Sequence, residues 1–287
     1  MNRLISAELF KLRKRSMTTI LLLVLVGIMI LMYLLLLQIS KVNLPVGTGA
    51  MRAGVQNLLG LPLALPFAMF IISSFGSVLA IILTASCIGS EYNWRTIRTA
   101  VMNSESRFKL LTAKLIAVAI FVLIGMVIGL AVGFAMSLIT TAIGGYNFDF
   151  NFVTGGYLWD QFLQFWRTFY VLLPYMLIGF MFSILGRSAM PGIALGIGVL
   201  FLESIVTTFM TLSGGWIATI PAYLTTANVR AIAALGSLPS NFASRMGPGG
   251  PAVELPGVVH AFVVLAIYSL IALILAFYLF RKRDVTC

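Results

Sequence analysis

The residues best suited to specific chemistry lie in one polar segment, residues 89–114, between two long apolar runs. Charged side chains alternate there with large apolar ones: Glu91, Tyr92, Trp94, Arg95, Ile97, Arg98, Val101, Met102, Glu105, Arg107 and Lys109. Trp94, Ile97 and Val101 are spaced i, i+3 and i+7, so a short amphipathic helix would place them on one face. That face suits a groove on another protein or a layer of lipid headgroups, and composition alone favours neither.

A second candidate is the carboxylate of Glu203, which lies inside an apolar run. A charge at that depth costs about 3 kcal/mol or more unless it has a partner. Arg167, near the outer end of the preceding run, has a stem long enough to reach it. We predict a structural ion pair or snorkelling to the interface, with a polar determinant of a substrate path as the alternative.

Small residues recur every four positions at Gly125, Gly129, Gly133 and Ser137. They line one face of a helix and allow another helix backbone to approach closely. The pattern therefore predicts a packing face, which would serve either contact within one subunit or dimerisation.

Signatures of catalysis are absent from the sequence. There is no phosphate-binding string GxxxxGK[ST] and no nucleophile string GxSxG. One histidine, His260, and two distant cysteines, Cys87 and Cys287, form no metal-ligand pattern. We therefore assign no catalytic, cofactor-binding or metal-binding residue to this chain.

The elements that would position these residues are helices in lipid. With 60% hydrophobic residues, 9% charged residues and a mean hydropathy of +1.05, the composition excludes an ordinary soluble fold. Spanning helices need about 20 mostly apolar residues. We predict an all-α integral membrane protein with one transmembrane domain over residues 1–287 and six spans, approximately residues 18–39, 65–88, 115–142, 165–185, 189–212 and 258–280.

Three further segments lie outside these spans. Residues 2–15 mix apolar and basic side chains, which predicts a helix in the headgroup layer or a plain basic anchor. An aromatic outer loop is expected before residue 165. Residues 213–257 carry few charges and many glycines and prolines, which indicates short interfacial or re-entrant helices.

The net charge of +11 is explained by topology rather than by nucleic acid. If the spans alternate from a cytoplasmic N-terminus, 14 of the 19 basic residues fall on the inner side and five on the outer side. The positive-inside rule therefore places both termini in the cytoplasm, and the chain in the cell membrane.

The polar segment also resembles a known family. Glu91 is followed by Trp94-Arg95-Thr96-Ile97-Arg98, then by Ser106-Arg107 and by Lys114 at the start of the third span. This order, after a basic amphipathic N-terminus and two spans, resembles the type-2 family of ABC transporter permeases. The chain departs from the family pattern at Trp94-Arg95, where a glycine is usual before the threonine, and at Ser104, where a proline is usual.

The resemblance implies a coupling helix between the second and third spans that docks on a separate ATPase. Its residues would be Glu91, Trp94, Arg95, Ile97, Arg98 and Arg107, with Glu91 at the helix start. ATP and Mg would bind to that partner, and a second permease copy or a similar permease would complete the transporter. The implied activity is export of a hydrophobic or amphipathic substrate, such as a peptide, drug or lipid.

Other functions remain open alternatives. An ATP-independent secondary transporter or channel would be expected to carry midplane ionisable sites or repeated halves, and the sequence has one carboxylate and no clear repeat. A membrane enzyme would need paired catalytic groups. A permease-like subunit that senses an antibiotic or confers immunity to it differs from an exporter only in its substrate response.

Overall fold

The computed structural model describes residues 1–41, 49–94, 96, 106–144, 150–213, 215–236 and 255–282, and within them the regular structure is entirely helical. The α-helices are α1 Asn2–Lys14, α2 Ser16–Lys41, α3 Gly49–Leu59, α4 Ala64–Asn93, α5 Arg107–Gly144, α6 Gly155–Gly186, α7 Ala189–Ser213, α8 Thr225–Ala233 and α9 Val258–Lys282. Two 3₁₀ helices span Leu61–Leu63 and Gly215–Tyr223.

Six of the described helical segments are long and apolar enough to cross a membrane. They are Ser16–Lys41, Leu61–Asn93, Phe108–Gly144, Gly155–Gly186, Ala189–Met210 and Val258–Lys282. Among the described residues, the predicted number and order of long apolar helices are therefore confirmed. An all-helical chain with six such helices fits a multi-pass membrane protein.

Helix α4 lies at the centre of the bundle and packs most extensively against α6. The close approach depends on glycines. A Cβ added to Gly179 of α6 would lie 3.1 Å from the carbonyl oxygen of Ile81 in α4, and one added to Gly196 of α7 would lie 2.6 Å from Ile81 Cγ2. Larger residues at these positions would separate the three helices.

Helix α1 and the end of α9 lie at the same end of the bundle. Phe280, near the end of α9, packs in one cluster with Ile88 of α4, Leu111 of α5 and Ile184 of α6. Helix α1 joins this end through contacts with α5 and α4. We call this end the terminal face, and the end that carries α3 and α8 the opposite face.

Several helices extend beyond the predicted spans. Helix α6 begins at Gly155, whereas the sequence predicted an aromatic loop up to residue 165. The hydroxyl of Thr154 accepts a hydrogen bond from the N–H of Tyr157 at 3.2 Å and caps the helix there. Along one helix face, Trp159 then stacks on Phe162, and Phe162 contacts Trp166 edge to face. The prediction of a loop here was wrong because these aromatic residues favour the interface without preventing a helix.

Candidate functional site

Four charged side chains form an ion cluster at the terminal face. The Nζ atom of Lys114 lies 2.8 Å from Glu8 Oε2 and 2.6 Å from Glu91 Oε1. Lys11 Nζ lies 2.7 Å from Glu8 Oε1 and 3.4 Å from Glu91 Oε1. We call Glu8, Lys11, Glu91 and Lys114 the ion cluster.

The ion cluster joins three helices. Glu8 and Lys11 come from α1, Glu91 from the last turn of α4, and Lys114 from the second turn of α5. Glu8 and Glu91 are each 3% exposed and Lys114 is 1% exposed. Buried charges persist only when each has a partner, and here two carboxylates balance two ammonium groups. The cluster therefore fixes α1 against the ends of α4 and α5 at the terminal face.

The electrostatics keep Glu8 ionised. Burial acts to raise the pKa of its carboxyl group, but Lys114 and Lys11 outweigh that effect and hold the pKa below its ordinary value of 4.5. Glu8 thus carries its charge at neutral pH, as the two ion pairs require.

Arg15 and Trp94 form a second contact beside the cluster. The Nη1 group of Arg15 donates to the carbonyl oxygens of Ser86 at 3.2 Å and Cys87 at 3.5 Å. The guanidinium carbon lies 5.2 Å from the centre of the Trp94 ring, a cation–π distance. Trp94 is still 64% exposed, so most of its ring faces the surroundings of the terminal face.

The structure describes only part of the predicted coupling segment. Arg95, Ile97 and Arg98 lie outside the described residues. Arg107 begins α5, and only its backbone is described.

Glu91 occupies a different place from the one predicted. It was expected at the start of a helix, but it lies near the end of α4, which continues to Asn93. Its carboxylate binds Lys114 instead of capping free N–H groups. A buried ammonium group is the stronger partner, since the charges attract directly in a medium of low dielectric.

Glu203 and Arg167 each bind a different partner from the one predicted. Glu203 Oε1 accepts a hydrogen bond of 2.6 Å from the N–H of Thr226, in the first turn of α8. Arg167 Nη1 donates to the carbonyl oxygen of Leu235 at 3.4 Å. Among the described residues the structure shows no ion pair between the two. A carboxylate suits the positive end of a helix dipole, so Glu203 of α7 acts as a cap for α8.

The 3₁₀ helix that precedes α8 is attached to α9. His260 Nε2 lies 3.0 Å from the carbonyl oxygen of Ala222. The Tyr268 hydroxyl donates to the carbonyl oxygen of Tyr223 at 3.3 Å. These bonds hold the end of the 3₁₀ helix Gly215–Tyr223 against the bundle at the opposite face.

The glycine stripe of α5 packs within the chain at two of its three positions. A Cβ on Gly133 would lie 2.5 Å from Ala68 Cβ, and one on Gly129 would lie 3.0 Å from Ile72 Cδ1. Both neighbours belong to α4, so the predicted close contact occurs inside one subunit. A Cβ on Gly125 would meet nothing within 4 Å.

Lys114 was identified by resemblance, but its pairing with Glu8 was not predicted. A signal was present: Glu8 is the single acidic residue in the basic segment 2–15. Lys11 of the same helix supplies one cation, and a carboxylate there that faces the bundle favours a second cation from another helix. Three-dimensional proximity, which local spacing does not give, identifies that cation as Lys114.

Within the described residues, no group of three or more histidine, cysteine, aspartate or glutamate side chains is placed to hold a metal ion. The six long apolar helices fit a multi-pass membrane protein, and the ion cluster is a charged connection between three helices at the terminal face. Residues 25–286 match the family described as "Protein of unknown function (DUF2705)", and the chain belongs to that family.

A relative in Bacillus subtilis (strain 168) bears the description "Uncharacterized protein YhcI". It is 26% identical over 213 residues, which cover 71% of this chain and 63% of the relative. The match therefore spans less than two thirds of the relative's length.

Proposed function

We propose that this chain is the membrane-spanning permease subunit of an ATP-driven ABC transporter. The observation that carries the proposal is the position of the ion cluster. Glu91 and Lys114 bracket the segment that resembles a coupling helix, and their side chains are bonded to each other at 2.6 Å. A force applied to the intervening segment would reach α4 and α5 through this bond and through the backbone, and α1 through Glu8.

Trp94 supplies a surface for a partner. Its large exposed ring stands where the bracketed segment begins and is held from behind by Arg15. Exposed aromatic rings with a fixed orientation are typical anchors of protein interfaces. The proposed partner is an ATPase subunit that binds ATP and Mg, because the chain itself has no phosphate-binding loop.

The proposal includes orientation and assembly. Basic residues concentrate at the terminal face, so the positive-inside rule favours a cytoplasmic terminal face in the cell membrane, with α1 in the headgroup layer. The 3₁₀ helix Gly215–Tyr223 and α8 would then lie at or within the outer interface. Resemblance to the permease family favours a second permease copy and export of a hydrophobic or amphipathic substrate.

The test is purification of the tagged chain from its native membrane, with identification of co-purifying proteins and assay of their ATPase activity. We expect an ATP-hydrolysing partner whose recovery falls at least about tenfold in Trp94→Asp, as for the loss of an interface anchor. Trp216→Asp is the matched control, since Trp216 is 76% exposed in the 3₁₀ helix at the opposite face.

The additional change Ile97→Asp should abolish any ATPase activity that the assembly stimulates, while insertion of the chain continues. Recovery of the intact chain with no ATPase in the wild type would contradict the proposal and favour an ATP-independent transporter or channel. Equal loss of the partner in Trp94→Asp and Trp216→Asp would contradict the docking role of Trp94.

A further inference from the structure

A cavity of about 350 Å³ opens between the start of α2 and the end of α4. Its rim carries Lys14, Arg15 and Trp94, and its apolar wall includes Leu12 and Leu83. Basic groups and a tryptophan at the edge of a long apolar helix are the residue types found at the level of lipid headgroups.

The cavity continues toward the middle of the bundle. A shallow apolar groove of about 70 Å³ between α2, α4 and α5 shares Thr18 and Leu83 with the cavity wall. Gly125 lines this groove, and nothing within 4 Å would meet a side chain there. A basic cavity that leads into an apolar groove matches a molecule with an anionic head and an apolar tail.

The cavity has positive charge that the neighbouring carboxylates do not neutralise. Glu8 and Glu91 form their ion pairs with Lys11 and Lys114. Within the described part of the chain, Lys14 contacts the Phe10 ring and neither it nor Arg15 has a carboxylate partner. The positive charge at the cavity rim is therefore available to an anion.

Arg15 is already oriented for such an anion. Its Nη1 group is fixed by two α4 carbonyl oxygens, and its planar group lies against Trp94. Among the described residues, the other N–H groups of this guanidinium have no hydrogen-bond partner. A guanidinium group can bind phosphate oxygens through two of its N–H groups. Fixing the side chain in advance lowers the entropic cost of binding.

We propose that this cavity binds the headgroup phosphate of an anionic phospholipid, with Lys14 and Arg15 as its ligands and the upper part of one acyl chain in the groove beside Gly125. The lipid is a resident component of the membrane subunit rather than its cargo. The two proposed phosphate ligands lie at the end of α1 and in the residue that follows it, and retention of the lipid is measured without any ATPase partner.

The experiment uses the full chain in mixed micelles with equal amounts of phosphatidylglycerol and phosphatidylcholine that have the same acyl chains. Retained lipid is counted by native mass spectrometry. We expect the wild type to retain phosphatidylglycerol in preference to phosphatidylcholine. The double variant Lys14→Gln/Arg15→Gln should retain about tenfold less, given what two basic residues contribute near anionic lipid. Arg3→Gln/Arg13→Gln is the control, with the same change in charge on exposed residues of α1 outside the cavity.

A second pair of variants tests the groove. Gly125→Leu should reduce retention of phosphatidylglycerol, whereas Gly27→Leu should not, since Gly27 also meets nothing within 4 Å but lies outside the groove. Glycerol phosphate, which has the charged head without the tail, should compete weakly.

Three results would overturn the proposal. Equal losses in the two double variants would indicate diffuse attraction to the basic helix. Strong competition by glycerol phosphate, with no effect of Gly125→Leu, would indicate a site for free phosphate. A wild type that retains both lipids equally would exclude the site.

Discussion

The ammonium group of Lys114 lies between two carboxylates that come from different helices. Burial makes this residue sensitive to change, because removal of one partner leaves the others charged in a poorly solvated site. Exposed ion pairs behave differently, since water screens them and replaces the lost bond. The burial of Lys114, rather than the number of charges around it, sets its importance.

Replacement of Lys114 by methionine should destabilise the protein by about 3 to 5 kcal/mol, because Glu8 and Glu91 would then share only the half-exposed Lys11. The measurement is thermal unfolding in detergent. Lys41→Met is the control, since Lys41 is exposed at the end of α2. Neutralisation of all three buried positions in Glu8→Met/Glu91→Met/Lys114→Met should recover part of the loss. Equal melting temperatures for Lys114→Met and Lys41→Met would refute the structural role.

At the scale of elements, helix contacts depend on which glycines meet a neighbour. Gly125 and Gly133 occupy equivalent positions in the repeat of α5. Of the two, only Gly133 has an α4 atom within 4 Å of an added Cβ. The spacing of the glycines identifies the packing face of α5. The position of the neighbouring helix determines which glycines on that face are needed for close packing.

The variant Gly133→Ala should lower the free energy of unfolding by about 1 to 3 kcal/mol, because the added Cβ would overlap Ala68. Gly125→Ala should be neutral or slightly stabilising, since alanine favours a helix and meets no neighbour there. Unfolding of both variants in the same detergent gives the comparison. Similar losses at the two sites would mean that the packing of α5 against α4 is not as described.

The capped helix α8 gives a second prediction at this scale. Glu203→Ala removes the acceptor for the Thr226 N–H and should speed amide exchange in α8 by roughly fivefold, or about 1 kcal/mol. Glu203→Gln keeps an acceptor oxygen and should change exchange less. Hydrogen exchange measured by mass spectrometry reports both.

A double variant distinguishes the cap from the ion pair that the sequence predicted, and the quantity compared is the stability of each variant. If Glu203 and Arg167 do not interact, the effects of Glu203→Ala and Arg167→Ala on stability should add. Strong non-additivity would instead support a direct pair between them.

For the whole molecule, the proposed topology of six spans places both termini on one side of the membrane. In a Cys87→Ser/Cys287→Ser background, Asn2→Cys should react with a membrane-impermeant maleimide only after the cells are permeabilised. Gly257→Cys, just before α9, should react in intact cells. The opposite pattern would reverse the orientation that the basic residues predict, and labelling of both sites in intact cells would contradict the six-span topology.

The sequence by itself determined the helical class, the number and order of the long apolar helices, and the close-packing face of α5. These depend on local quantities: apolar length, the absence of charge, and the spacing of small residues along one helix. Helix ends were less well predicted, as at α6, because polar and aromatic residues continue a helix as readily as they end it.

Only the tertiary structure decided the partners of the buried charges. Glu8 and Lys114 are 106 residues apart in the sequence. Arg167 was the predicted partner of Glu203, but its carboxylate accepts a hydrogen bond from a backbone N–H of α8. A charged residue in an apolar segment indicates that a partner must exist, because an isolated buried charge is costly. Many residues of the sequence could be that partner. The choice among them is set by how the helices pack, which brings distant residues into contact.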